Sequence, residues 1–346
     1  MQYRPLGRTG LSVSSIGLGT MTWGQQNTED EGHAQMDYAV ECGINFFDTA
    51  ELYAVPPKAE TQGATETIIG TWFKARKNRD QIILATKITG RSPMNWFRKD
   101  GGKTRLTPAQ IDEAVEGSLR RLQTNYIDLY QLHWPDRKLS LFGGHGFADY
   151  PVDFTPFEII LEALDRHVQK GNIRHIGVSN ETAWGLMRYL VEAEKRGLPR
   201  MASIQNAYHL INRTFETGLA EVAMREEVGL LAYSPLGQGT LTGKYLNGAR
   251  PEGARGTLFG RLERYQGPGA EDAIKACITC AQDHGLSPVQ LALKFCDTRP
   301  FVTSTLIGAT SMDQLKENIA AFDISWSDDL EKAVNDLHAA HRSPCP

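Results

Sequence analysis

The stretch Gly43-Ile44-Asn45-Phe46-Phe47-Asp48-Thr49-Ala50-Glu51-Leu52-Tyr53 begins with a turn glycine and continues as a short apolar run. A run of this kind is typical of one buried strand in a parallel sheet. It ends in a carboxylate, Asp48, and a phenol, Tyr53, follows five residues later. Parallel α/β proteins place functional groups at the carboxyl ends of strands, so both are candidate site residues. Taken alone, the stretch fits equally well an aspartate that caps the next segment and a tyrosine at a loop edge.

Short apolar runs of the same kind recur along the chain and alternate with helix-like segments. Eight of them begin near residues 16, 44, 82, 127, 175, 203, 229 and 304. This unbroken alternation indicates a parallel sheet with right-handed crossovers, and eight units close most naturally into a barrel. The sequence therefore predicts an α/β fold: a (β/α)8 TIM barrel in one domain over residues 1–346, with an N-terminal β-hairpin and extra C-terminal helices.

A doubly wound parallel sheet is the alternative architecture. It would need a Gly-x-Gly-x-x-Gly turn after the first strand. Gly17-Leu18-Gly19 is followed by Thr22 where the third glycine would stand, so the barrel is favoured. Residues 234–269 hold many glycines and show no clear periodicity.

Composition argues against several classes of partner. The net charge is -4 with neither half strongly acidic or basic, so neither nucleic acid nor a membrane surface is expected. No apolar run approaches the roughly 20 residues that cross a bilayer. Five cysteines, an odd number in a long chain, fit reduced thiols and a cytoplasmic location. Cys277 and Cys280 form a CxxC pair at helical spacing without a second pair, so we interpret them as core thiols and predict no metal site.

Four titratable side chains fall at the carboxyl ends of three adjacent predicted strands: Asp48, Tyr53, Lys87 and His133. A phenol has an ordinary pKa of about 10, and a nearby ammonium group lowers that pKa. A carboxylate can hold the ammonium in place, and a neutral imidazole can donate a hydrogen bond to a substrate oxygen. Together they form a general acid for an oxygen that gains negative charge, as in carbonyl reduction. The chain has no obvious hydride source of its own, so a cofactor is expected.

The same four residues resemble the catalytic tetrad of the aldo-keto reductase family. Further matching motifs follow in family order: Asp128–His133, Ile176–Asn180, Gln205-Asn206, Tyr233–Leu236 and Ile307–Ala309. The chain is most similar to the branch that holds the potassium-channel β-subunits and the bacterial Tas-like proteins. Val55-Pro56-Pro57 and the stretch Gly239–Gly248 resemble the Tas-like proteins in particular.

The resemblance implies that NADPH binds in an extended form across the barrel mouth. By position, Ser179, Asn180 and Gln205 would hold the nicotinamide carboxamide, and Tyr233 would stack on the ring. The residues expected to wrap the pyrophosphate are Ser234, Pro235, Leu236, Gly237, Gln238, Gly239, Thr240, Leu241, Thr242, Gly243 and Lys244. Arg255 would take the adenosine 2′-phosphate or stack on adenine. The residues expected at the adenine end are Thr310, Gln314, Glu317 and Asn318.

Simpler interpretations exist for these outlying residues. Ser179-Asn180 could cap the next helix, Glu317-Asn318 could be solvated helix positions, and Lys244 and Arg255 could be surface charges.

Aromatic residues near the predicted mouth indicate a pocket for an apolar or aromatic aldehyde or ketone. Trp23 and Trp134 are the candidate substrate-binding residues; the other aromatic candidates are Phe142, Phe147 and Tyr208. The leading hypothesis is NADPH-dependent reduction of aldehydes or ketones to alcohols, with Tyr53 as general acid.

Two other classes of function use the same barrel scaffold. An NADPH-binding regulatory or partner-binding module of the channel β-subunit type is the alternative, and a homo-oligomer stays open. A metal-dependent hydrolase would need a His-x-His pair at a strand end, which the sequence lacks.

Overall fold

The computed structural model describes residues 1–144, 147 and 149–345. Its ten strands in the described residues are β1 (Tyr3–Pro5), β2 (Ser12–Ser14), β3 (Ile16–Gly19), β4 (Phe46–Asp48), β5 (Ile83–Ile88), β6 (Ile127–Leu132), β7 (Ile173–Ser179), β8 (Met201–Ala207), β9 (Gly229–Tyr233) and β10 (Val302–Ile307). Strands β3 to β10 pair in parallel and in chain order, and β10 pairs back with β3 to close a barrel. The predicted (β/α)8 barrel is confirmed.

Helices surround the barrel and connect its strands. They are α1 (Glu29–Glu41), α2 (Ala64–Arg76), α3 (Pro108–Arg121), α4 (Phe157–Gln169), α5 (Ala183–Arg196), α6 (Leu219–Arg225), α7 (Arg255–Phe259), α8 (Ala270–Asp283), α9 (Pro288–Asp297), α10 (Met312–Ala320) and α11 (Asp328–Ala340). Local signals set several of their starts. For example, Thr28 forms a capping box at the start of α1, and Ser287 forms one at the start of α9. Residues 234–269, which show no periodicity in the sequence, consist largely of short 3₁₀ turns, with the short helix α7 among them.

The predicted N-terminal hairpin is present as the antiparallel pair β1 and β2. Leu6 and Val13 are buried against the side chains at the amino-terminal end of the barrel. Arg4 anchors the hairpin by donating to the Val302 carbonyl and the Asp297 carboxylate at 2.9 and 2.7 Å. The hairpin therefore covers the amino-terminal end of the barrel, and the carboxyl ends of the strands face the other mouth.

One carboxylate organises the amino-terminal end of strands β5 to β7. Asp128 is buried and accepts hydrogen bonds from Arg79 and Arg174, each at 2.7 Å, and from the Leu84 backbone N–H at 3.0 Å. The two guanidinium groups lie over the Tyr126 ring, with their carbons 3.9 and 4.0 Å from its centroid. This group joins three strands at the end of the barrel opposite the mouth.

Asp128→Asn is expected to lower the free energy of unfolding by about 3 kcal/mol, because it leaves the Arg79 guanidinium largely buried without its counter-charge. Urea denaturation followed by circular dichroism measures this change. Asp323→Asn, at an exposed position, is the control. A loss below about 1 kcal/mol would mean that the pair behaves as a surface ion pair.

Candidate active site

A cavity of about 1210 Å³ opens at the carboxyl ends of the barrel strands. Asp48, the last residue of β4, lines it together with Tyr53 from the following loop and His133, which follows β6 directly. Lys87 lies in β5 beneath this surface and is fully buried. The structure thus brings the four residues of the predicted tetrad to one mouth.

Asp48 and Lys87 form a buried ion pair, with Lys87 Nζ 2.6 Å from Asp48 Oδ2. The same ammonium group donates to the Thr49 carbonyl at 2.8 Å and lies 5.0 Å from the centroid of the Tyr53 ring. The Tyr53 and His133 rings meet edge to face, with centroids 5.7 Å apart. Phenol, imidazole and ammonium therefore share one small volume.

Two glutamines complete the environment of the Asp48 carboxylate. Gln131 Nε2 and Gln205 Nε2 donate to Asp48 Oδ1 at 3.1 and 2.8 Å, and Gln205 Nε2 also contacts Gln131 Oε1 at 3.2 Å. Sequence reasoning missed Gln131, although a glutamine inside an apolar strand was a signal. Gln205, predicted to hold a carboxamide, lines the cavity while its amide is directed to Asp48.

The imidazole of His133 is held in its neutral form. Burial, and to a lesser extent the Lys87 charge, lowers the pKa of His133 well below its usual value. A neutral imidazole carries one N–H donor, so His133 can donate a hydrogen bond near neutral pH, as the sequence suggested.

The pKa of Tyr53 differs from the sequence-based expectation. Burial raises it well above its usual value, the Asp48 and Tyr233 charges add to that effect, and Arg255 opposes it. The expected lowering by Lys87 is not found. The physical reason is that burial, the largest cause, disfavours the phenolate, and the Asp48 carboxylate that pairs with Lys87 repels it. The Tyr53 hydroxyl is therefore protonated at neutral pH and available as a proton donor.

One wall of the cavity is a chain of hydrogen bonds around Asn180, which has a positive φ of 52°. Its Nδ2 donates to the His133 carbonyl at 2.9 Å, and its Oδ1 accepts from the Tyr233 hydroxyl at 2.6 Å. Ser179 Oγ donates to the Gln205 carbonyl at 2.8 Å. The candidates for the nicotinamide end all line the cavity: Ser179, Asn180, Gln205 and Tyr233.

The loop after β9 supplies the next part of the wall. Its lining residues are Ser234, Pro235, Leu236, Gln238, Gly239, Thr242 and Lys244. Gly237, Thr240 and Leu241 are buried, and with Gly243 they do not line the cavity. A Cβ on Gly239 would lie 2.7 Å from Lys244 Cε, so glycine lets the lysine side chain pass.

Four cations line the same region, and we call them the cationic end: Lys244, Arg255, Arg261 and Arg264. Burial lowers the pKa of Arg255 to about 10, and the neighbouring charges of Arg261 and Arg264 add to that effect. Its buried Nε has no hydrogen-bond partner among the described residues. Sequence reasoning named Lys244 and Arg255 but missed Arg261 and Arg264, whose only signal was the density of arginines in residues 255–264.

The predicted adenine end also lines the cavity, through Thr310, Gln314, Glu317 and Asn318. Gln314 Oε1 accepts from the Thr310 backbone N–H at 3.0 Å, and Asn318 Nδ2 donates to the Gly308 carbonyl at 3.2 Å. Two of the four side chains are thus already oriented by the loop and helix that follow β10.

The two candidate substrate residues are placed differently. Trp134 lines the cavity, with its ring centroid 4.8 Å from that of His133. Trp23 does not line it: the side chain is fully buried and donates to Gln35 Oε1 at 3.2 Å. Tyr208 is also buried, against Phe215, Phe295 and Phe301. Phe142, an aromatic candidate from the sequence, lines the cavity. Sequence reasoning missed Leu52 and Met94, two apolar residues that line it beside Tyr53.

Neither a metal centre nor a membrane span is found in the described part of the chain. Residues 1–144, 147 and 149–345 contain no group of three His, Cys, Asp or Glu side chains placed to hold a metal ion. No helix among these residues is long and apolar enough to cross a membrane.

Known proteins resemble this chain over most or all of its length. Residues 15–338 match the sequence model of the Aldo/keto reductase family. The chain belongs to this family. It is 50% identical to Protein tas of Escherichia coli (strain K12), and the match covers 100% of both chains.

Two further relatives support the assignment. The chain is 34% identical to the uncharacterized oxidoreductase YrpG of Bacillus subtilis (strain 168), over 97% of this chain and 96% of that protein. It is 38% identical to an aldo-keto reductase of Babesia bovis, over 76% of this chain and 98% of that protein. Membership and these relatives support an oxidoreductase, in a family that typically uses a nicotinamide cofactor.

Proposed function

We propose that this protein reduces aldehydes or ketones to alcohols with NADPH, and that Tyr53 is the general acid. The observation that carries the proposal is the meeting of Tyr53, His133 and the Lys87–Asp48 ion pair at one wall of the cavity. The bound cofactor would supply the hydride to the carbonyl carbon. The five free cysteines support a reducing compartment such as the cytoplasm.

Each of the four residues has a separate task. Tyr53, protonated at neutral pH, gives its proton to the carbonyl oxygen as that oxygen becomes an alkoxide. An alkoxide is more basic than a phenolate, so a raised phenol pKa still leaves this transfer favourable. Neutral His133 donates a hydrogen bond that orients the carbonyl. Lys87, held by Asp48, places a positive charge beside the phenol as it loses its proton.

The cavity suits an extended dinucleotide. Its wall includes Tyr53, Ser179, Tyr233, the cationic end and Gln314. The cationic end offers donors for phosphate, among them the unpaired buried Nε of Arg255. Four cations exceed what a pyrophosphate alone requires, which supports a ligand with an additional 2′-phosphate and hence NADPH rather than NADH.

The substrate region is apolar. Leu52, Met94, Trp134 and Phe142 line the cavity close to Tyr53 and His133. Such a wall contacts an apolar or aromatic group well and offers few partners to a strongly polar one. We therefore propose apolar or aromatic aldehydes and ketones as the substrate class.

Arg255→Gln is expected to weaken NADPH binding by about 10-fold to 100-fold and to change NADH binding little, because a charge-assisted bond to phosphate is lost. Titration of nucleotide fluorescence measures both affinities. Arg225→Gln, which changes an exposed arginine on α6, is the control. Equal weakening for both nucleotides would indicate that Arg255 contacts a part they share, such as adenine.

The proposed function is tested by titrating the protein with NADPH and with NADH, followed by steady-state reduction of a panel of aldehydes and ketones. We expect tighter binding of NADPH and turnover that is highest for apolar or aromatic carbonyls. NADPH binding without reduction of any panel member would contradict the enzyme assignment and favour a nucleotide-binding regulatory module.

A further inference from the structure

The loop that carries Tyr53 is tied to strand β5 by one buried carboxylate, that of Glu51. Glu51 Oε1 accepts a hydrogen bond from the Thr89 backbone N–H at 2.7 Å. The backbone N–H of Glu51 donates to the Lys87 carbonyl at 3.1 Å. Glu51 stands two residues before Tyr53, and Thr89 stands two residues after Lys87. Glu51 therefore joins the segment with the phenol to the strand with the ammonium.

The charge of Glu51 is balanced by Arg98, which lies on the loop after β5. Arg98 Nη1 and Nη2 donate to Glu51 Oε2 and Oε1 at 2.9 and 2.7 Å. The two side chains are only 2% and 1% exposed. A buried bidentate pair fixes the orientation of both partners as well as their separation. The loop with Arg98 is thus held in a defined place relative to the loop with Tyr53.

The same contact supports the apolar wall of the cavity. Phe97, next to Arg98, packs with Ala50, Leu52 and Trp134. Leu52 and Trp134 line the cavity, and so does Met94 from the same loop as Phe97. Neither Glu51 nor Arg98 lines the cavity. Any effect of this pair on the reaction must therefore pass through the residues that it holds.

We propose that Glu51 and Arg98 are positioning residues, which fix Tyr53 relative to Lys87 and fix the substrate wall formed by Leu52 and Met94. The inference rests on the proposed function of Tyr53 as general acid. It gives a role to the buried Glu51–Arg98 ion pair, which does not itself line the cavity.

The first test is Glu51→Gln. Glutamine keeps the shape of the side chain and can still accept from Thr89, but it leaves Arg98 without a counter-charge. We expect kcat for a good aldehyde to fall by about 10-fold to 100-fold, because a misplacement of about 1 Å at a reacting group has that effect. The nucleotide affinity should not change. Asp128→Asn, which removes a buried carboxylate charge between arginines at the opposite end of the barrel, should leave kcat per folded molecule unchanged.

A second readout does not depend on turnover. Hydrogen exchange measured by mass spectrometry should show faster exchange in residues 49–62 and 88–104 of Glu51→Gln, with no change in residues 174–207. Asp128→Asn should leave residues 49–62 unchanged. If the unaltered protein reduces no carbonyl, the proposed function fails, and the exchange data still decide whether the pair holds the two loops.

Two further variants keep the inference testable should Glu51→Gln not fold. Glu51→Gln/Arg98→Met removes both charges and should fold, because no unpaired charge stays buried, yet kcat should remain low. Arg98→Lys keeps the charge without the bidentate geometry and should give an intermediate kcat. Unchanged kcat and exchange in Glu51→Gln, or in the double variant, would overturn the inference. An equal loss of kcat in Asp128→Asn would also overturn it, by showing a merely structural effect.

Discussion

Replacing Tyr53 with phenylalanine is expected to lower kcat for carbonyl reduction by about 1,000-fold, within the range found when a general acid is removed. The substitution deletes one hydroxyl group and keeps the ring that packs edge to face on His133. The shape of the cavity and the cationic end should be unaffected. Affinity for NADPH should therefore be preserved while the proton donor is lost.

The measurement for Tyr53→Phe combines steady-state kinetics with a fluorescence titration of NADPH. Tyr126→Phe is the matched control, because it removes a hydroxyl at the opposite end of the barrel, which donates to the Arg79 carbonyl at a long distance of 3.5 Å, and it keeps the ring. Loss of nucleotide binding together with turnover would count against the assigned role of Tyr53. So would a kcat close to that of the unaltered protein.

Lys87→Met is expected to lower both activity and stability. It removes the charge that stabilises the Tyr53 phenolate, and kcat should fall by about 100-fold. It also leaves the Asp48 carboxylate buried without its counter-charge, although Gln131 and Gln205 still donate to it. Breaking a buried pair in this way costs about 3–5 kcal/mol of unfolding free energy. Rapid-mixing kinetics and urea denaturation measure the two effects.

A double variant separates these two effects of Lys87. Asp48→Asn/Lys87→Met removes both charges, so most of the lost stability should return while the activity does not. If stability and activity returned together, Lys87 would have only a structural role.

The pH profile of Lys87→Met gives an independent check. Lys87 contributes to the low pKa of His133, so its removal should raise that pKa, although burial still keeps it below the usual value. The acidic limb of the kcat/KM profile should therefore move to higher pH. No movement of this limb would mean that His133 does not control it.

The positions of the strands and of three tetrad residues could be predicted because they depend on local signals. Each barrel strand is a short apolar run, and Asp48 and His133 stand where such a run ends. Lys87 lies one residue before the end of β5, and its ammonium group reaches the Asp48 carboxylate. In a closed parallel barrel, carboxyl ends must meet at one mouth, so spatial convergence followed from topology alone.

Other features depend on contacts between distant segments. Trp23 and Trp134 both follow strands and look alike in the sequence. Trp23 is buried because helix α1 passes close to it: a Cβ on Gly32 would lie 3.2 Å from its ring. Gln131 was missed because strands buried on both faces do not show which residues point inward.

Backbone geometry and charge balance set two further limits on what the sequence alone could predict. In residues 234–269, positive φ angles at Gln238 and Asn247 shape the loop without any periodic signal. The raised pKa of Tyr53 could not be foreseen because it depends on how far the fold removes the phenol from water and on the Asp48 carboxylate beside it.

We propose that four side chains act together on a carbonyl group: Tyr53, His133, Lys87 and Asp48. This is tested by mass spectrometry of the alcohol that forms from an aromatic aldehyde and labelled NADPH. The NADPH carries deuterium on the nicotinamide carbon that transfers the hydride. We expect one deuterium on the carbinol carbon with the unaltered protein and almost no alcohol with Tyr53→Phe. Unlabelled alcohol, or equal yields from the two proteins, would contradict it.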